Sequence, residues 1–410
     1  MTDIVIIGAG VMGLSVAYQI ALRSKLKIKV IEKGTQVGEG STGASSAVCR
    51  FRYSLDEMVL LARDGINTYR HWPEFTRLTS QIAQYHNDGA LWLPGKDLAW
   101  AQREHTRMQA LGVRTEVLDD QEVQKRFPDL SVCPIAPDLV TGEPHQCAGG
   151  GSHYYEVDGG YIDPVAVCED LLSACRREGV EVCFNQCVAK ISVPNSKVAS
   201  VEFSGGEKLS VPTVVNAAGP WCNHLYVSAG LQFPWNLEPV RAQILYLDTP
   251  AELVGKIPVC EDFSGSIYLR TQNRGQQIVV GSLKAEDEEE LVSNPNEFNR
   301  FADDAFLHPV LHALHHRLPG LPYRGKVRGY SGLYTMNRQD VHPIVGETAV
   351  SGLYAMNGFS GHGFKLAPAI GSLLAQQITG SQIEGDTQIP WDFLSVERTP
   401  IEISQKSVLA

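Results

Sequence analysis

The chain lacks the roughly 18 consecutive apolar residues that a membrane span needs, so no transmembrane segment is expected. No basic segment precedes its first apolar run, which opens at Ile4. A secretory signal is therefore not expected, and the expected location is cytoplasmic. No C-x-x-C pair occurs among the nine cysteines, an odd number scattered from Cys49 to Cys260. Cys183 and Cys187 fall in an expected strand and turn. All nine read as reduced thiols, and no metal site is expected. Positive charge is short as well: 35 Lys and Arg face 46 Asp and Glu, for a formal net charge of -11 and a pI of about 5.6. That balance disfavours nucleic acid or an anionic membrane as a general partner. It leaves a small anionic ligand open, because local charge can oppose the global balance. With 43% hydrophobic and 20% charged residues the chain reads as folded rather than disordered. Its 410 residues exceed a typical single core, so two domains are expected.

What is present is organised around residues 4–32. An apolar run (IVII) leads into Gly8, Gly10 and Gly13, a helical stretch follows over 14–23, and a second apolar run (IKVI) ends in Glu32. Gly8 permits a tight turn, Gly10 lets backbone approach a pyrophosphate, and Gly13 lets helix and strand pack closely. Phosphates then sit at a helix N-terminus, where N–H groups and the helix dipole favour negative charge. Glu32 accepts hydrogen bonds from a ribose hydroxyl and repels a 2′-phosphate, which argues against NADP. The motif alone does not separate NAD from FAD.

A small-residue loop, 38–47 (GEGSTGASSA), offers amides and hydroxyls directly after this unit, and Arg50 and Arg52 follow it. Helical periodicity is expected over 55–78 and 99–111, a short helix over 121–127, and a strand over 89–93. Residues 133–158 are irregular and rich in glycine and proline, either a lid or a surface excursion. Asp163 and Pro164 suit the start of a helix to 177. Strands are expected over 180–184 and 188–193, and a hairpin around Gly205 and Gly206. A further strand ends in the turn NAAGPW, Asn216 to Trp221, which brings a second loop toward the nucleotide. Residues 231–283 are strand-rich and suggest an antiparallel sheet. A helix over 297–318 carries His308 and His312 at i, i+4, a spacing that suits a metal. No cysteine or carboxylate lies near them at ligand spacing, so an amphipathic surface helix is the preferred reading. The last glycine block, Gly358 through Lys365 (GFSGHGFK), precedes a helix from 366 to 379, and residues beyond 400 read as a tail.

With that block the chain resembles the D-amino-acid oxidase superfamily of flavoproteins, in particular the branch of sarcosine oxidase, glycine oxidase and dimethylglycine dehydrogenase. The resemblance spans roughly residues 3–398. Its anchors are the glycine motif with Glu32 and Lys33, the serine-rich loop, the YIDP stretch from Tyr161, the Asn216 turn and the 358–365 block. It implies a mixed α/β and α+β architecture: a Rossmann-like FAD-binding domain (1–85, 145–230 and 325–398) interleaved with an antiparallel-sheet substrate domain (86–144 and 231–324), then a tail (399–410).

The resemblance also implies FAD, and oxidation of a C–N bond beside a carboxylate by hydride transfer to flavin N5. Cofactor contacts are implied at Gly8, Gly10, Val11, Met12, Gly13, Glu32 and Lys33; in the serine-rich loop at Thr42, Ala44, Ser45 and Ser46; and at Val188, Ala218, Gly219, Trp221 and Gly332. The last block adds Gly361, His362, Gly363, Phe364 and Lys365. In monomeric sarcosine oxidase an arginine and a lysine clamp the substrate carboxylate; these fall on Arg50, with Arg52 as the alternative, and on Lys365. Tyr334 and His362 complete the implied catalytic set. Two departures matter. The cysteine that bonds the flavin in sarcosine oxidase aligns with Gly332, and the first histidine is His71, so FAD is expected to be non-covalent. The lysine that promotes reaction with oxygen falls near Val279 or Val280, so the electron acceptor is oxygen or another species. The implied partner is a small carboxylate-bearing amine. A 2-hydroxy-acid dehydrogenase on the same scaffold and a flavoprotein acting mainly in binding or assembly remain alternatives.

Overall fold

The computed structural model describes residues 1–95, 97–138, 140–143, 145, 149–322 and 325–403. Cys147, part of the 133–158 loop and residues 404–410 of the tail lie outside the described residues. The eight described cysteines are free. Among the described residues no helix is long and apolar enough to cross a membrane.

Two large sheets dominate. The first has six strands in the order Ile344–Glu347, Leu353–Asn357, Thr213–Asn216, Ile4–Ile7, Ile28–Ile31 and Glu181–Cys183. All neighbours are parallel except the first pair. Ile4–Ile7 and Thr213–Asn216 lie inside it, which explains the unbroken apolar sequence of the first and the Val214–Val215 pair of the second: both faces of such a strand are covered. Helices Val11–Arg23, Pro164–Arg177 and Gly363–Thr379 pack in the main core with this sheet. A Cβ on Gly371 would meet Ser15 Cβ at 2.9 Å, so the first and last of these helices approach closely. Asp163 caps the middle one as expected, accepting from the Val165 and Ala166 amides at 2.9 and 2.8 Å.

The second sheet has eight strands in the order Val327–Asn337, Leu237–Asp248, Gln277–Ser282, Ile267–Gln272, Val259–Asp262, Ala90–Leu93, Ser152–Glu156 and Thr115–Asp119. It is antiparallel but for one contact: Val259–Asp262 runs parallel to Ala90–Leu93. Strands Ser152–Glu156 and Val327–Asn337, which the sequence division assigns to the nucleotide-binding segments, belong to this sheet. The longer of them pairs with Leu237–Asp248 over its whole length, and that ladder decides its place.

Two expected helices are shorter than their periodicity. The one over 55–78 is interrupted at His71, giving Asp56–Arg70 and Trp72–Thr76, with Pro73 inside the first turn of the second piece. The one over 297–318 is Asp304–Arg317 only. The preceding segment is held open by Arg241, whose guanidinium takes the carbonyls of Asn299 and Phe301 and the carboxylate of Asp303. Those carbonyls are then unavailable for a helical ladder.

Candidate active site

The N-terminal turn is built to the tolerance of a hydrogen atom. Gly8 has φ +109°, and a Cβ there would stand 2.6 Å from Ala217 O; a Cβ on Gly13 would stand 1.9 Å from Gly8 O. Glu32 accepts the Ala9 amide at 2.8 Å and the Gly34 amide at 2.7 Å, which aims the carboxylate at the turn. Thr42 Oγ1 takes the Val11 amide at 3.2 Å, so the serine-rich loop meets the helix start. Gly10 stands at the N-cap of that helix and has no side chain to cap it, an arrangement that suits an anion at the helix start. Replacing Gly13 by alanine is expected to force strand and helix apart at a cost of about 1–3 kcal/mol. The purified variant should be colourless while wild type is yellow, read as flavin absorbance per chain. Equal flavin content would remove Gly13 from the cofactor site.

The loop before the last helix faces the larger sheet. Ser360 and Gly361 both have positive φ, +44° and +83°. The Ser360 amide donates to Thr335 O at 3.0 Å and its hydroxyl accepts the Asn337 amide at 2.9 Å, so the loop is pinned to the end of strand Val327–Asn337. On that strand Gly332 is tight against the serine-rich loop: a Cβ would meet Ala44 Cβ at 2.5 Å. Gly65 on helix Asp56–Arg70 would place a Cβ 2.2 Å from Lys365 O, and Tyr69 Oη donates to Phe364 O at 2.8 Å. Close packing and that hydrogen bond fix where Lys365 begins.

Strand register then assembles a row on one face of the larger sheet. Tyr268 is opposite Glu261, Glu261 opposite Trp92, and Trp92 opposite Tyr154. Residues paired across strands share a face. Against this row stand Arg50 and Lys365. Arg50 Nε lies 3.6 Å from Glu261 Oε1, and its guanidinium carbon lies 4.8 Å from the Tyr53 ring centre and 5.4 Å from that of Trp92. Lys365 Nζ lies 5.5 Å from the same Tyr53 ring, and the His362 ring 5.3 Å from it. Thus Arg50, His362 and Lys365, three expected site residues from two distant segments, gather around one tyrosine.

The cluster is almost closed to water: Arg50, Lys365, His362 and Glu261 are each 5% exposed or less. Burial, then the Arg50 charge, pushes the Lys365 ammonium down to about 7. Burial raises the Glu261 carboxyl, against the pull of Arg50 and Lys365. It raises Glu156 to about 7, although that carboxylate accepts the Phe51 and Arg52 amides at 2.8 and 2.9 Å. His362 is held neutral, by burial first and by the Lys365 charge second. Several buried polar atoms here have no hydrogen-bond partner among the described residues: Tyr53 Oη, Trp92 Nε1, Tyr154 Oη, Glu261 Oε2 and both ring nitrogens of His362. Unpartnered buried polar atoms are costly, so such a concentration marks a place where ligand groups belong.

Other expected residues sit elsewhere or play another part. Arg52 is turned toward Glu104, 3.2 Å away, and Trp100. Tyr334, two residues along the same strand from Gly332, packs on Val240, Met336 and Val341. Lys33 Nζ lies 3.3 Å from the centre of a Trp221 ring, and both side chains hydrogen-bond Asn296 Oδ1. Val188 is in the apolar core with Ile7 and Ile31. Ser45 Oγ accepts the Ala47 amide at 3.0 Å, and Ser46 O accepts from Arg270 Nε at 2.5 Å. The Ala218 amide donates to Asn216 Oδ1 at 3.3 Å, and Gly219 has φ +52°. Sequence reasoning missed Tyr53, Trp92, Tyr154, Glu156 and Glu261. The available signal was acid in two strands that are otherwise largely buried, Glu156 at the end of SHYYE and the Glu261–Asp262 pair at the end of VCED. A surface cleft lined by Leu231, Trp235, Gln339 and Arg398 shares no residue with this cluster.

The family model for FAD dependent oxidoreductase (DAO) matches residues 3–377. The chain belongs to that family. This oxidoreductase is 26% identical over 415 residues to FAD-dependent oxidoreductase domain-containing protein 1 of Xenopus laevis, covering 92% of this chain and 79% of the relative. Among solved structures, L-proline dehydrogenase from P. horikoshii superposes with a TM-score of 0.80 at 21% identity, over 96% of each chain. Glycine oxidase from Bacillus cereus ATCC 14579 gives 0.76 at 21%, over 98% of this chain and 100% of that one. The residues of the oxidoreductase fit the family's FAD. Neither Gly10 nor His362 caps the helix that follows it, Glu32 stands at the turn, and the unpartnered polar atoms lie next to the second helix start.

Proposed function

We propose that this oxidoreductase oxidises the C–N bond of a small amino acid or N-alkyl amino acid of the glycine, sarcosine or D-amino-acid kind. The observation that carries the reading is the charge pattern of the closed cluster: two cations, Arg50 and Lys365, beside a carboxylate oxygen, Glu261 Oε2, that lacks a partner among the described residues. A zwitterionic amino acid has the complementary pattern.

FAD, when bound, supplies the hydride acceptor at flavin N5, and the substrate imine then hydrolyses in water. The chain's own groups do the rest. The Arg50 guanidinium and the Lys365 ammonium hold the substrate carboxylate by charge-assisted hydrogen bonds, which orients the adjacent C–H. Glu261 Oε2 accepts a hydrogen bond from the substrate nitrogen and takes up its extra proton, an uptake that burial of the carboxyl favours, which leaves the amine neutral for oxidation. The rings of Tyr53 and Trp92 keep water from the cluster and strengthen each of these contacts. The amides of Gly361, Gly363 and Phe364 would stabilise negative charge on the reduced cofactor, the His362 amide being held by Phe359 O at 2.7 Å.

Non-covalent attachment is supported by Gly332, which offers no side chain, and by the position of His71 at an exposed helix end. Acid precipitation should therefore release all yellow colour to the supernatant. A slow reaction with oxygen is supported by Val279 and Val280, both buried in strand Gln277–Ser282. The decisive experiment mixes the purified flavoprotein anaerobically with N-methylglycine, glycine, proline, D-amino acids and 2-hydroxy acids, following flavin absorbance. Bleaching by an amine and not by hydroxy acids is expected. Bleaching by hydroxy acids alone would transfer the site to the dehydrogenase alternative; bleaching by neither would leave a binding or assembly role.

A further inference from the structure

On the far side of the larger sheet a second cluster is unconnected with the oxidation. Residues of a strand alternate between faces, so Asp262 points away from the site that its neighbour Glu261 enters. Asp262 pairs with Arg317 at 2.7 Å, at the end of helix Asp304–Arg317. Arg317 in turn donates to the carbonyls of Ser131 and Cys133, and the Ser131 amide donates back to Arg317 O at 2.8 Å. The irregular segment that starts at 133 is thus bolted by its first residues to the end of this helix.

At that junction Cys133, His145 and His316 meet. One ligating atom from each, a thiol sulfur and two imidazole nitrogens, lies within 4.8 Å of the other two. Cys133 Sγ and His145 Nε2 are 3.1 Å apart, and the rings of His145 and His316 are centred 5.0 Å apart. Cys133 is 3% exposed, and His316 Nε2 is buried without a hydrogen-bond partner among the described residues. Tetrahedral zinc with bonds of about 2.3 Å to sulfur and 2.0–2.1 Å to nitrogen sets its ligand atoms about 3.3–3.7 Å apart, so small side-chain shifts close the set. A sulfur and two imidazoles select a borderline-soft ion and disfavour magnesium or calcium, which want oxygen.

We propose that Cys133, His145 and His316 bind one zinc ion that ties Cys133 and His145 to helix Asp304–Arg317. The Cys133 thiol loses its proton to solvent on binding, the two imidazoles bind neutral, and water takes the fourth position. The added charge is tolerable because the neighbouring Arg317 is already paired with Asp262. This departs from the expectation of no metal, which rested on the scatter of the cysteines and on the His308 and His312 pair. His308 is exposed on the same helix and stands outside the trio. The ligands come from segments far apart in the chain, so no spacing rule finds them. The ion acts on the loop, and it holds whatever the oxidoreductase's substrate proves to be.

The test uses tag-free, flavin-loaded protein. Elemental analysis should find about one zinc per chain in wild type and in His308→Ala, and a loss of at least fivefold in Cys133→Ser and in His316→Ala, with flavin content checked in each. A second measurement needs no variant: chelator-stripped wild type titrated with cobalt(II) should develop a thiolate-to-cobalt charge-transfer band that saturates at one equivalent. Re-addition of zinc should raise the melting temperature of the stripped protein. Wild type without zinc that also yields no such band, or Cys133→Ser and His316→Ala retaining wild-type zinc, overturns the proposal.

Discussion

Replacing Lys365 by methionine is expected to reduce kcat/KM for the amine substrate by roughly 30-fold to several thousand-fold, because losing one member of a buried charge contact costs about 2–5 kcal/mol. Flavin content should stay near wild type, since the backbone of Lys365 is fixed by Gly65 and the main-chain contact at Phe364 rather than by the ammonium. The pH dependence gives a sharper signature. In the ligand-free protein the ammonium is lost as pH rises through about 7. A bound carboxylate favours the protonated form, so binding above that pH takes up a proton. Affinity for a simple carboxylate inhibitor should then fall by up to about tenfold per pH unit above 7 and be flat below it. The methionine variant should lose this limb. The same depressed value means that the ligand-free folded protein holds fewer protons than the unfolded chain between about 7 and the ordinary 10.5. Lys365 therefore contributes stability that rises with pH across that window, and a bound carboxylate should remove the slope. Calorimetric titration in buffers of different ionisation enthalpy measures the proton directly; no uptake at pH 8 would place the carboxylate elsewhere.

The Glu261→Gln variant should move two quantities in opposite directions. Turnover of the amine should drop by roughly 10- to 150-fold, corresponding to the loss of a hydrogen bond to a charged group worth about 1.5–3 kcal/mol. Acetate, which has a carboxylate and no amine, should bind several-fold tighter, because Arg50 no longer shares its charge with a carboxylate at 3.6 Å. A merely structural role for Glu261 would weaken both together, and that outcome would refute its assignment to the substrate nitrogen.

The legible parts of this protein were those written in short stretches. Backbone sterics at Gly8 and Gly13, the Asp163 cap and the paired apolar runs each depend on neighbours a few residues away, and the strand, turn and helix they imply are present. The site was legible only in part. Arg50, His362 and Lys365 were marked by their loops, but Glu261 was not, because nothing within Val259–Asp262 tells which of two adjacent acids faces Arg50. That is decided by register with Tyr268 and Trp92, on strands from different parts of the chain. The helix over 297–318 failed for a similar reason: a distant arginine, Arg241, captures the carbonyls that periodicity assigns to helix.

The position of Ile4–Ile7 inside its sheet bears on how the chain comes to fold. One of its two neighbours, Thr213–Asn216, is synthesised some two hundred residues later. At about 5–20 residues per second, the nascent chain emerges for roughly 10–40 s with that edge open. An apolar strand with an exposed edge invites pairing with other chains during that interval. Yield on expression should therefore respond to translation speed and temperature more than to the finished protein's stability.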